Sequence, residues 1–386
     1  MEIIDLVEPV DFSQFSPSLF EAGRLGAKIK DRSESKGTID FDSFEVVILG
    51  VLQVDEIDQS RENYFFLRES LYGLFDHFPN LKVRDLGDVK SGHTLKDTRV
   101  ALNETLNGIY RKKALPIVLS NEVSFYELLM RLRGVDYNGN LIWFDSKLPQ
   151  LDGPRIKQWD FNLKQEDHKL FMVLGTQKYF NSMATFEQLS SLGGSFYGVG
   201  KIRDNIRLIE PELRDAHAVG VNIDCMKSLD TPGSNSLYPN GLVSTEMCQM
   251  MWYYGMSTAP SSLSFWGYHK KNDDSTLGAN SIAQMVWHFM LGLHSRTMDF
   301  FSEPEAECMD HHVIPMEEYG VTLFFIKHKI TERWWFAVQY NNLRSDYVSC
   351  LKEDYELSRK GEISQRLWKY IVHKRMDVVH NNKVDS

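Results

Sequence analysis

Three apolar runs in this chain end in polar residues that could act together on a ligand. "LPIVLS" (115–120) leads into Ser120, Asn121, Glu122, Val123 and Ser124; "NLIWFD" (140–145) leads into Asp145, Ser146, Lys147, Leu148 and Pro149; "AVGVNID" (218–224) closes on Asn222, Ile223 and Asp224. Carboxylates delivered from neighbouring strand ends have two stable outcomes. With divalent cations between them they are hard oxygen ligands; without cations they repel and their pKa values rise. Lys147 favours the second outcome, because an ammonium between Asp145 and Asp224 relieves that repulsion. The sequence therefore predicts an internal ion pair of Lys147 with Asp145, Asp224 or both. Beside a residual metal- or ligand-binding role for the aspartates stands a structural one, pairing with lysine or capping the next helix.

Other chemistry-bearing residues have plainer explanations. Cys308, Asp310, His311 and His312 in "CMDHHV" invite a metal, but adjacent side chains diverge on most backbones. His93 and His269 read as loop or surface residues, and Asp55, Glu56 and Asp58 either attract a cationic ligand or solvate a loop. "KHKITERWW" mixes basic and aromatic residues as single-strand nucleic-acid binders do, and an amphipathic hairpin explains it equally well.

The strand ends must be brought together by a sheet, and the sequence supplies one. Runs at 44–52, 115–120, 140–145, 168–176, 195–200, 218–224 and 261–267 are nearly continuously apolar, as strands covered on both faces must be. Between them lie helical stretches at 124–133, 244–255 (with Ser244 as N-cap and Glu246 in the first turn) and 278–293. This alternation implies an α/β class, a doubly wound, largely parallel sheet with helices on both faces. From about residue 301 the pattern changes to a hairpin, 321–328 and 333–340, followed by two helices. The expected organisation is an N-terminal extension (1–43), an α/β domain (44–300) and a small α+β extension (301–386) whose Trp334, Trp335 and Trp368 pack on the main domain.

Composition narrows the partners. At 386 residues and 42% apolar content the chain can bury a large core, and a net charge of −10 gives no footprint for nucleic acid or an anionic membrane. Cys225, Cys248, Cys308 and Cys350 are scattered and form no CxxC pair, no apolar run approaches a membrane span, and the first residues lack a signal-peptide pattern. The cytoplasm is the expected location.

On its motifs the chain resembles the arginase, agmatinase and formimidoylglutamase family, the ureohydrolases, particularly the longer bacterial members. The resemblance rests on "YGVGKIRDNIRLIEPELRDAHAVGVNID" followed by "TPGSNSLYPNGLVSTEMCQMMWYYGMS" and runs over most of 44–295. It implies an arginase-like fold and, in the family, a pair of manganese ions held by GGDHS, DAHxD and SxDxD motifs that activate a water. Carried over position by position, the GGDHS histidine falls on Val123 and the aspartate before it on Glu122. In DAHxD the first aspartate is kept as Asp145, while the histidine becomes Lys147 and the last aspartate Pro149. In SxDxD the first aspartate becomes Asn222 and the second stays as Asp224. The family's downstream glutamate would fall near Gly267 or Tyr268, and its Asn-x-Gly loop after the first strand has no counterpart between Gly50 and Gly73.

Neither Val nor Pro can ligate, so the expectation is no metal cofactor and a pseudoenzyme that serves as a protein-interaction or assembly subunit. The alternatives are a manganese-dependent or metal-free C–N hydrolase rebuilt around Glu122, Asp145, Lys147 and Asp224, and a sensor of a small amine in the vacated pocket. The family's habit implies a homo-oligomer.

Overall fold

The computed structural model describes residues 3–34, 46–121, 140–148, 171–191, 193–257, 260–296, 308–340, 343–344 and 347–372. They divide into two compact units, Met1–Ile206 with Ala216–Arg296, and Arg207–Asp215 with Thr297–Ser386.

Among the described residues the first unit is built on a nine-stranded sheet. Its strands are β1 (Val7–Glu8), β2 (Val46–Val51), β3 (Val83–Val89), β4 (Leu115–Leu119), β5 (Asn140–Phe144), β6 (Phe171–Thr176), β7 (Ser195–Gly198), β8 (Ala216–Asn222) and β9 (Ser262–Trp266), in the order β1-β3-β2-β4-β9-β8-β5-β6-β7. Every pairing is parallel except that of β1 with β3. Every residue of β2, β4, β5, β6 and β9 is buried, which is why these strands read as unbroken apolar runs.

The longer helices of this unit are α1 (Leu25–Ser33), α2 (Ile57–Tyr72), α3 (Leu95–Arg111), α4 (Met183–Ser191), α5 (Ser244–Gly255) and α6 (Leu277–His294). The N-terminal segment is part of this unit, since β1 pairs with the edge of β3. The cap of α5 is Val243, one residue before the expected Ser244, and the Glu246 carboxylate accepts its N–H at 2.9 Å. The helix expected at 124–133 lies outside the described residues.

From β2 the chain moves to one side to form β3 and then returns past β2 to form β4. That reversal opens a crevice at the C-terminal ends of β2 and β4, where ligands collect in such sheets.

The second unit holds an antiparallel sheet of β10 (Met309–Met316), β11 (Val321–His328), β12 (Trp334–Tyr340), β13 (Leu343–Arg344) and β14 (Val348–Cys350), and the helix α7 (Lys352–Arg359). The predicted hairpin is β11 with β12. "CMDHHV" is largely strand β10, in which His312 stacks on Trp334 with ring centroids 5.5 Å apart rather than joining a metal cluster.

Trp334 takes its cover from this unit's own core, with Phe325, Phe336, Leu367 and Ile371. Trp335 lies under the Arg214 guanidinium at 4.5 Å, and Trp368 is 42% exposed and edges Tyr319. The reason is that Arg207–Asp215, from the middle of the chain, belongs to the second unit. Asp215 accepts the Ser349 N–H at 2.7 Å, and the Arg366 guanidinium bridges Glu212 and Asp354 at 3.2 and 3.0 Å.

Candidate functional site

Asp145, Asn222 and Asp224 do converge at the ends of β5 and β8, but they are held by protein groups. Asp145 is 8% exposed. Its Oδ1 accepts the Lys147 backbone N–H at 3.0 Å and its Oδ2 accepts Asn222 Nδ2–H at 2.9 Å. Burial pushes the Asp145 carboxyl up to about 7, with the nearby Asp224 adding to the rise against the lowering effect of these donors.

Asn222 is polarised between the two aspartates. Its amide nitrogen faces Asp145, and its oxygen accepts the Asp224 N–H at 3.1 Å, starting a short 3-10 turn. The Asp224 carboxylate accepts the hydroxyls of Ser234, through a short bond, and Ser236, at 2.8 Å. Burial, then Asp145 and Asp224, hold the adjacent Cys225 thiol far above its usual range, which rules it out as a thiolate nucleophile near neutral pH.

Lys147 does not form the predicted ion pair. Among the described residues its ammonium pairs with neither aspartate; it sits 5.8 and 5.6 Å from the ring centroids of Phe180 and Tyr238. A bond with the Tyr238 hydroxyl raises its pKa, opposed by partial burial. The physical reason is local. Asp145 engages the backbone N–H two residues on, a tight Asx-type turn, and the exposed Lys147 side chain leaves toward the aromatic pair. Glu122, Val123 and Pro149 lie outside the described residues.

The Pro-Gly loop after β8 explains its own sequence. Gly233 has φ +105°, and a Cβ there would meet the Tyr268 ring at 2.6 Å; its carbonyl accepts the His269 N–H at 2.7 Å. Gly267, near where the family glutamate would fall, has φ +86°, and a Cβ there would stand 2.8 Å from Asn222 Oδ1. Asn222 and Gly267 are therefore two parts of one close contact.

Beside this cluster a cleft of about 530 Å³ opens at the ends of β2, β3, β4 and β9. It is lined by Asp55, Glu56, His93, Asn121, Asn235 and His269 among others, and by none of Asp145, Lys147, Asn222 and Asp224. The N-terminus of α3 forms one edge, fixed by reciprocal bonds between Thr94 and Asp97 at 3.2 and 3.0 Å. Asn121 Nδ2 is buried with no bonding partner among the described residues.

His269 is 8% exposed rather than on the surface. Its Nε2 faces Asn235 Nδ2 at 2.7 Å and its Nδ1 faces the Gln59 side-chain amide at 3.2 Å. Asn235 Oδ1 takes Asn272 Nδ2–H at 2.9 Å, so Asn235 donates to Nε2, and the Gln59 atom facing Nδ1 is likewise its amide nitrogen. Burial, then Lys271, lower the His269 pKa, so the ring is a neutral, fixed wall of the cleft. Only its position two residues past the glycine after β9 could have marked it.

Among the described residues no group of three or more His, Cys, Asp or Glu side chains is placed to hold an ion. No helix among them is long and apolar enough to cross a membrane.

No family model and no curated protein sequence matches this chain. Solved structures do. A manganese-containing formiminoglutamase of Trypanosoma cruzi superposes with a TM-score of 0.58 at 18% identity, over 71% of this chain and 99% of that one. The formimidoylglutamase of Bacillus subtilis gives 0.57 at 16% identity, over 76% and 92%. The agmatine ureohydrolase of Thermoplasma volcanium gives 0.55 at 14%, over 71% and 95%. With its mostly parallel central sheet, its flanking helices and these likenesses, the chain has the arginase-like α/β fold and resembles the ureohydrolases.

Proposed function

We propose that this chain is a non-catalytic protein on the arginase-like fold, working in the cytoplasm as an interaction or assembly subunit without a metal cofactor. The observation that carries the reading is the hydrogen bonding of the two retained aspartates. All four of their carboxylate oxygens accept bonds from the protein, from Lys147 N–H, Asn222 Nδ2, Ser234 and Ser236. Manganese prefers oxygen and imidazole donors in roughly octahedral geometry, and the amide nitrogen of Asn222 presents hydrogens to Asp145 where an ion would need lone pairs. Valine at 123 and proline at 149 offer no donor. The residues present do not fit a dinuclear centre, and no hydrolytic step is derived through one.

An assembly role is supported by the part of the chain that the ureohydrolase structures do not cover. The ureohydrolase structures are matched over 92–99% of their own length, yet cover only 71–76% of this chain, so about a quarter of it lies beyond the shared fold. The direct test is release of urea or formamide from arginine, agmatine and formimidoylglutamate, assayed with and without added manganese. Turnover on any of them contradicts the reading.

One observation favours a second reading, a sensor of a small amine. The cleft of about 530 Å³ is lined by the exposed residues Asp55 and Glu56 together with the fixed His269 and Asn121, whose amide nitrogen has no partner among the described residues. A rise in melting temperature with a specific amine or amino acid, abolished by Glu56→Gln, would support it.

A further inference from the structure

The rim beyond β6 and β8 carries four large apolar side chains in the open. Tyr179 is 67%, Met183 69%, Leu229 75% and Leu237 86% exposed. They stand on segments tied to one another. Ser228 N–H donates to the Tyr238 carbonyl at 3.0 Å and Ser228 Oγ accepts the Tyr238 N–H at 2.7 Å, which sets Leu229 beside Leu237. The Tyr238 ring meets Phe180 at 4.5 Å, Phe180 meets Tyr179 at 4.6 Å, and α4 begins at Met183. Asn181 Oδ1 accepts Leu148 N–H at 2.6 Å, fixing this rim to the end of β5. The patch is preorganised, and contiguous exposed apolar surface on a globular protein marks an interaction site.

Its charge runs against that of the chain. Lys147 stands over Phe180 and Tyr238, Lys178 precedes Tyr179, and Lys227 lies two residues before Leu229. Among the described residues none of these three ammonium groups has a carboxylate within ion-pair distance. Three cations with no ion-pair partner among the described residues, around exposed leucine, methionine and tyrosine in a chain of net charge −10, favour an acidic complement.

We infer that this rim docks an acidic segment of a partner protein, with carboxylates over Lys147, Lys178 and Lys227 and an apolar side chain seated among Tyr179, Phe180 and Leu237. A nucleic acid offers the anions but not the rest: Leu229, Leu237 and Met183 are not stacking platforms, and the net charge repels a polyanion. The inference deepens the proposed interaction role and rests on it.

The experiment selects from a display library of random linear peptides on the full chain, then measures the strongest synthetic binder by isothermal titration. Recovered sequences should combine acidic residues with an apolar anchor. Leu237→Asp and the double variant Lys147→Glu/Lys178→Glu should each weaken binding at least about tenfold, with unchanged melting curves, and added salt should weaken it in the parent chain. Binders indifferent to all of these substitutions, or no binder at all, overturn the inference. So does a mixed-sequence single-stranded oligonucleotide that binds tightly and is lost in the same variants. Hydrolase turnover is read separately and bears on the non-catalytic reading alone, so the two failures are distinguishable.

Discussion

Asn222→Asp restores the carboxylate that the resemblance leads one to look for, and the structure says what it should cost. In the parent chain the Asp145 carboxyl is raised to about 7 from its ordinary value of 3.8. A carboxyl raised on folding keeps its proton in the native state across a window in which the unfolded chain has lost it. Its contribution is therefore full below the unfolded pKa and is lost as the pH rises through the native one. At roughly 1.4 kcal/mol per unit this is on the order of 4 kcal/mol of declining stability between about pH 4 and about pH 7.

In the variant a second carboxylate replaces an amide whose nitrogen is 2.9 Å from Asp145 Oδ2. Two charges at about 3 Å repel by roughly 5 kcal/mol at an effective dielectric of about 20, and the pair answers by holding a proton to higher pH as one coupled unit. Near pH 5 the two carboxyls can share that proton and the variant should unfold close to the parent. Near pH 8 it should be less stable by several kcal/mol, lost donor included. The assay is urea denaturation followed by tryptophan fluorescence over this range, in chelator and again with manganese. A variant as stable as the parent near pH 8 in chelator would refute the buried-pair reasoning, and full rescue by manganese would refute the donor argument.

Three further outcomes follow from the same geometry. Gly267→Ala forces a side chain into a left-handed conformation and against Asn222 Oδ1, and should lower stability by about 1–2 kcal/mol or more in thermal melts; no change would mean the loop is not so placed. Lys147→Met should cost less than about 1 kcal/mol, since its exposed ammonium contributes only a cation–π contact and a hydroxyl bond; a loss of several kcal/mol would reinstate an internal ion pair. Burial raises Asp215 to about 6, so its contribution should fall as pH rises from about 4 to about 6, by on the order of 3 kcal/mol; Asp215→Asn should flatten that slope in urea denaturation, and an unchanged slope would contradict it.

How far the sequence could be read depended on where each residue's partner lies. The buried strands of the main sheet are visible because apolar runs are a local property. β3 is not, because Arg84, Asp85 and Asp88 break its run. Its charges are tolerable only because Arg68 of α2 bonds Asp85 at 2.9 and 3.1 Å and Asp88 at 2.8 Å, with the Tyr72 hydroxyl also on Asp85. No local period announces a partner that many residues away.

The same distinction divides the site. The meeting of Asp145, Asn222 and Asp224 follows from which strand ends lie together, and the motif spacing makes it legible. The direction of Lys147 depends on a turn closed by Asp145 and on rings at 180 and 238. His269 becomes a buried cleft residue only through Asn235, brought in by another loop, and Gln59, brought in by α2. The membership of Arg207–Asp215 in the second unit is equally invisible, since its counterparts Ser349 and Arg366 lie far along the chain.

The central claim is that Asp145, Asn222 and Asp224 form a closed, metal-free cluster. Equilibrium dialysis of the purified chain against manganese near pH 7.5, with bound metal read by mass spectrometry, tests it most directly. The account predicts no stoichiometric manganese, and the same result after Asn222→Ala. Stoichiometric manganese in the parent chain, lost in Asp145→Ala and Asp224→Ala, would contradict it.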